Sequence, residues 1–212
     1  ERLDGMTELN QCIDGFGESV EEHAETIIRF LGVIPGWKDS NFQVLREVFT
    51  AFVKLSDGSK ITKKLAHDMI KSAEKLGDIK LRQACGDCLL NLCEIVGPSF
   101  TIKQVWQVNS GHKNPKVIAE SMVWIASAID AFGAVACAGA AKDLVNIAKT
   151  GLEMANPQVR SASGKLLGQI HVFVGPQVRT LCEDMKPALL STIDDELKKS
   201  PYQPNPPAPA RK

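Results

Sequence analysis

Residues 156–175 read Asn156-Pro157-Gln158-Val159-Arg160-Ser161-Ala162-Ser163-Gly164-Lys165-Leu166-Leu167-Gly168-Gln169-Ile170-His171-Val172-Phe173-Val174-Gly175. An Asn at the start accepts from the free backbone N–H groups of a first helical turn. Pro suits the next position, where its missing donor costs nothing. Val159, Ala162, Leu166, Ile170 and Phe173 then recur at helical spacing, and Gly175-Pro176 stops the pattern. The stretch predicts one helix with a buried face and a defined beginning and end.

The same opening occurs three more times. Asn41-Phe42-Gln43-Val44, Asp78-Ile79-Lys80-Leu81 and Asn114-Pro115-Lys116-Val117 share its pattern of Asn or Asp, any residue, Lys or Gln, then an aliphatic. The spacings between the four starts are 37, 36 and 42 residues. Ile118, Met122, Ile125, Ile129 and Phe132 continue one apolar face, and Val44, Val48, Phe52 and Leu55 another. Gly97-Pro98 and Gly133 end two of these helices. Ahead of each start lies another helical stretch: 21–30, 62–76, 101–108 and 141–154. The unit is helix, tight turn, helix, at a period near 40 residues, which predicts an all-α HEAT-repeat solenoid.

Counting outward, residues 1–17 are a second helix whose first helix lies ahead of the sequence, with Met6, Leu9, Ile13 and Phe16 on its face. Residues 18–57, 59–97, 98–133 and 134–175 make full units, and 176–199 a terminal cap with Asp194, Asp195 and Glu196 outward. Residues 200–212, SPYQPNPPAPARK, carry five prolines and read as a linker. The domain is expected over 1–199.

The 25 basic and 25 acidic residues sum to zero, which argues against a nucleic-acid partner. No apolar run approaches membrane-spanning length, and ERLDGMTELN lacks the apolar core of a signal peptide. The six cysteines fall in or beside helical patterns and read as reduced and cytosolic. Cys85-Gly86-Asp87-Cys88, with Cys93 beyond, lies beside Leu89, Leu90 and Leu92 and reads as packing rather than a metal site. His23, His67, His112 and His171 are scattered. No GxxxxGK[ST], HExxH, GxSxG or GxGxxG motif is present, so no cofactor and no catalysis are expected.

The turns carry the functional signal. In a stacked array the turns inside each repeat are expected to follow one edge, with neighbouring helices roughly 8–10 Å apart. Lys38 lies in the second turn, Lys80 in the third, Lys113 and Lys116 in the fourth and Arg160 in the fifth. A cation near a helix N-terminus opposes the helix dipole, so its recurrence points to recognition of an acidic protein rather than to stability. Each cation taken singly also reads as a solvated charge. Trp37, after Pro35-Gly36, reads equally as a buried staple or a partner contact. Trp106 and Trp124 sit in apolar helical patterns and read as core; Lys60, Lys63 and Lys64 read as a solvated face.

These residues resemble the TOG domains of the microtubule polymerases that carry tandem TOG arrays. The resemblance rests on the turns 36–44, 113–116 and 156–160 and on Gly175-Pro176-Gln177-Val178-Arg179 through Lys186-Pro187-Ala188-Leu189-Leu190. It covers residues 1–199 and is greatest for a middle domain of an array, the third. It implies six HEAT repeats and a non-catalytic module that binds αβ-tubulin through its turns and promotes microtubule plus-end growth. It also implies a cytoplasmic place on microtubules, spindle or centrosome, beside neighbouring TOG domains of the same chain. It carries Trp37, Lys38, Phe42, Lys80, Lys113, Asn114, Lys116 and Arg160 onto contact positions. The fifth turn departs from the family in having Gln158, and the family's first-turn Trp would lie ahead of Glu1. A HEAT adaptor for another protein, or a spacer within an array, is the competing expectation.

Overall fold

Three of the four start signals read in the sequence, at Asn41, Asn114 and Asn156, become helix starts in the computed structural model, which describes residues 1–56 and 61–211; at Asp78 the helix begins four residues later. The helices are α1 (Arg2–Phe16), α2 (Glu18–Glu21), α3 (Ala24–Leu31), α4 (Phe42–Ser56), α5 (Lys63–Ile70), α6 (Arg82–Val96) and α7 (Pro98–Asn109). They continue with α8 (Pro115–Phe132), α9 (Ala134–Cys137), α10 (Ala141–Leu152), α11 (Pro157–Val174), α12 (Gln177–Thr180) and α13 (Pro187–Lys199). A π-type turn (Gly32–Gly36) follows α3, and a 3₁₀ stretch (Lys71–Gly77) continues α5. No strand occurs among the described residues. Lys60 and the expected boundary between the first two full units lie outside them.

Three of the repeated openings cap a helix directly, whereas Asp78 closes an Asx turn ahead of α6, whose N-cap is Leu81 and which begins at Arg82. Asn41 Oδ1 accepts from Gln43 N at 3.0 Å, and Asp78 Oδ1 from Lys80 N at 2.8 Å. Asn114 Oδ1 accepts from Lys116 N at 3.0 Å, and Asn156 Oδ1 from Gln158 N at 2.9 Å and Val159 N at 3.2 Å. Gly97, Gly133 and Gly175 close α6, α8 and α11.

The chain forms two compact units, Glu1–Val108 and Asn109–Lys212. In the first, α1 packs on α4, α4 on α6, and α3 on α4 and α5. Its core includes Ile28, Leu31, Val48, Phe49, Phe52, Leu65, Met69 and Leu89, each at most 1% exposed. Met6 and Ile13 of α1 are buried as expected, but Phe16 is 63% exposed. Asn10 is buried in that helix instead, its Nδ2 donating to Glu47 O at 3.1 Å and Glu47 Oε2 at 2.8 Å. Phe16 is the last residue of α1, where the helix ends at Gly17.

In the second unit α11 is the central helix, touched by α8, α10 and α13. This explains its small residues. A Cβ on Gly164 would come within 3.0 Å of Glu196 Cγ, and one on Gly168 within 2.6 Å of Ser200 Oγ. Opposite, Gly151 of α10 is so close to α8 and α11 that a Cβ would lie 2.1 Å from Ser163 Oγ and 2.2 Å from Met122 Cε. Trp124 is buried, whereas Trp106, at the end of unit 1, is half-buried.

The Pro-rich segment, expected to be a linker, makes backbone contacts with unit 2. Gln203 N donates to Val172 O at 2.9 Å and Arg211 N to Ala131 O at 3.0 Å, near the C-terminal ends of α11 and α8. Ser200 O lies 2.7 Å from His171 Nδ1. Prolines leave few donors on such a segment, and two of the remaining N–H groups are used here.

Candidate functional site

In unit 1 the second turn is built around Trp37 and Asp39. The Trp37 ring stacks on Phe49 (centroids 5.5 Å) and meets Phe52 edge-on (5.3 Å). These contacts give Trp37 a staple role, with the ring half-buried. Asp39, whose side chain is 1% exposed, pairs with Arg2 Nη1 at 2.9 Å and accepts from Asn41 N at 2.8 Å. A buried carboxylate held this way fixes the turn between α1 and α4. Lys38 between them is exposed.

The third turn meets the second. Lys80 Nζ lies 4.5 Å from the centre of the Phe42 ring, a distance at which the cation is attracted by the ring face. Phe42 is the first residue of α4 and is half-buried. Ile79, next to Lys80 at the turn, is 77% exposed.

In unit 2 the fourth and fifth turns share a groove of about 470 Å³ between the starts of α8 and α11, lined by Lys116, Glu120, Pro157, Gln158, Ser161 and Lys165 among others. Asn114 serves as the cap of α8, and Lys113 beside it is exposed. Arg160 is exposed too, but its Nη1 donates to Met154 O at 3.1 Å and Ala155 O at 2.5 Å. It therefore ties the first turn of α11 back to the fifth turn, just past the end of α10, as well as presenting charge. Among the described residues, no hydrogen bond or ion pair engages the ammonium groups of Lys38, Lys113 or Lys116.

Counted from the Asn or Asp of each opening, only Lys80 and Lys116 occupy the same register position, two residues on. Lys38 precedes its Asn by three and Lys113 by one, while Arg160 follows by four. The cations thus recur by turn and not by a strict repeat. Sequence reasoning passed over Ile79 and Asp39. Ile79 could have been found from the position after the Asn or Asp of each opening, which holds Phe42, Ile79, Pro115 and Pro157 in turn.

The cysteine cluster is part of the core. Cys85, Cys88 and Cys93 are at most 1% exposed. Burial pushes the Cys88 thiol up to about 12 and raises Cys85 well above the usual range, so both thiols are protonated at neutral pH. Among the described residues no three His, Cys, Asp or Glu side chains gather as a metal site, and no helix is long and apolar enough to cross a membrane.

Helix pairs joined by Asx-capped turns that present cations define an α-helical repeat domain of the HEAT type. The chain matches the family model XMAP215/Dis1/CLASP, TOG domain, over residues 2–197, and it belongs to that family. It is 37% identical over 206 residues to Protein MOR1 of Arabidopsis thaliana, covering 96% of this chain and 10% of the relative. It is 33% identical over 218 residues to Centrosomal protein 224 of Dictyostelium discoideum, covering 100% of this chain and 11% of the relative. The structure of Drosophila melanogaster Mini spindles TOG3 superposes with a TM-score of 0.88 at 27% identity, covering 99% of this chain and 92% of that one. A middle position in a TOG array is consistent with that likeness. The chain spans about a tenth of the length of the curated relatives it matches.

Proposed function

We propose that this domain is a non-catalytic module that binds αβ-tubulin through its capped turns, as part of a larger microtubule-polymerising protein. The observation that carries the reading is the set of turn cations, exposed Lys38, Lys80, Lys113 and Arg160 and half-buried Lys116, on a chain of the TOG family. A solved structure with TM-score 0.81 to this chain is titled for TOG–tubulin binding specificity, and at 15% identity it supports the fold.

The physical roles divide. The free ammonium groups of Lys38, Lys113 and Lys116 steer encounter with an acidic surface and orient it. Phe42 offers the exposed part of its ring under Lys80. Trp37 and Asn114 hold their turns in place, so little ordering is needed on binding. Arg160 does both. The parent protein would place several such modules on one chain, raising the local concentration of tubulin, and would act in the cytoplasm on microtubules, spindle and centrosome.

The test is co-elution of the purified chain with αβ-tubulin at low salt, followed by affinity measurement. The triple variant Lys38→Ala, Lys80→Ala, Lys116→Ala is expected to lose binding while keeping its helical circular dichroism. An unchanged affinity overturns the turn-based reading. A wild-type chain that ignores tubulin favours a spacer role within the array.

A further inference from the structure

The residue following the Asn or Asp of each opening is exposed or half-exposed and apolar in all four turns: Phe42, Ile79, Pro115 and Pro157. Pro at the first helical position has a backbone explanation. Phe42 lies under Lys80. Ile79 has neither: it is a β-branched side chain, 77% exposed, at the tip of a turn where Gly, Pro, Asn, Asp or Ser is the ordinary choice.

We propose that Ile79 is an apolar anchor of the binding edge in unit 1, entering a shallow apolar recess rimmed by carboxylates on folded αβ-tubulin, with Lys80 meeting the rim. This rests on the tubulin reading above and names a contact within it. The turn is built to present the side chain. Asp78 Oδ1 holds Lys80 N at 2.8 Å, while Asp78 O accepts from Leu81 N at 3.2 Å and Arg82 N at 2.7 Å. Leu81, two residues on, is 1% exposed and pins the turn to the core. Ile79 is thus held outward on a fixed backbone, and burying it in a partner costs little further ordering. The cation beside it is already positioned, with Nζ at 4.5 Å from the Phe42 ring centre. An apolar tip flanked by a cation is the composition of an interface centre with its polar rim.

The experiment uses the whole chain and purified αβ-tubulin at three salt concentrations, with Ile79→Ser, Ile79→Leu and Lys80→Ala. Ile79→Ser is expected to weaken binding roughly ten-fold at every salt concentration, leaving the salt dependence and the melting temperature as in the wild type. Ile79→Leu stays within about two-fold of the wild type, since it preserves side-chain volume. Lys80→Ala weakens binding mainly at low salt. If Ile79→Ser binds like the wild type while Lys80→Ala is weakened, the anchor is wrong and the tubulin reading stands. If the wild-type chain does not bind tubulin at any salt concentration, the tubulin reading fails and the anchor with it.

Discussion

Lys80 Nζ sits 4.5 Å from the centroid of the Phe42 ring, joining the third turn to the start of α4. The two residues are 38 apart in sequence, one repeat plus one residue. An exposed cation–π contact of this kind is worth about 0.5–1 kcal/mol. Lys80→Ala should therefore cost no more than about 1 kcal/mol of stability in urea unfolding while lowering affinity for tubulin. Lys80→Arg keeps the ring contact and should retain both. A large stability loss in Lys80→Ala would show that the residue serves the fold rather than recognition.

Trp37 tests the opposite case. Its ring rests on Phe49 and Phe52, which are themselves at most 1% exposed. Trp37→Ala should destabilise the chain by about 2–4 kcal/mol, toward the lower end because the ring is only half-buried. Trp37→Phe keeps the stacking and should recover most of that. Thermal melts of the two variants decide it.

Gly151 is the tightest point of unit 2. A methyl there would lie 2.1 Å from Ser163 Oγ, whose hydroxyl donates to Val159 O at 2.7 Å. Gly151→Ala is favourable for an isolated helix, yet here it should destabilise by about 1–3 kcal/mol, because α8 and α11 must move. Pairing it with Met122→Ala should recover part of the loss in a double-mutant cycle.

The Pro-rich segment has a separate test. The Tyr202 ring lies where a Cβ on Gly175 would come within 3.0 Å of it, and Gly175 has φ of 77°. Gly175→Ala meets both a strained backbone and a displaced ring, and should cost about 1 kcal/mol or more. Removing residues 201–212 should raise amide exchange at the ends of α8 and α11 without abolishing folding. Unchanged exchange there would mean that the segment contributes nothing.

Asp68 contributes to the acid limb of stability. Its hydrogen bond from Lys71, then the charges of Lys71, Arg29 and His67, hold its carboxyl below the usual aspartate range, against desolvation. The folded state thus binds this proton less readily than the unfolded chain, whose value is about 3.9. Its contribution is present above that value and lost as pH falls through the lower folded value. Asp68→Asn should flatten the decline of melting temperature below about pH 4 and leave the slope at neutral pH unchanged.

The helix boundaries were legible in the sequence because capping is a short-range interaction. Asn156 finds its donors two and three residues away, so four letters suffice to place the start of α11. The C-terminal glycines mark helix ends for the same reason. The apolar faces were legible because a helix repeats every 3.6 residues, whatever lies opposite. Burial was not: Phe16 continues the period of α1 yet is exposed at its last residue, and polar Asn10 is buried because Glu47 meets it from another helix.

The site divides along the same line. The amino-acid order alone established that cations recur at successive turns of an all-α repeat, since turn position follows from local caps. The three-dimensional arrangement settled what each of those side chains touches. Arg160 turns back on two carbonyls, Lys80 covers Phe42, half-buried Trp37 rests against Phe49 and Phe52, and Ile79 is left bare. Those outcomes depend on neighbours a whole repeat away or across a turn. Contacts of that range are set by how helices pack, which no window of local sequence contains.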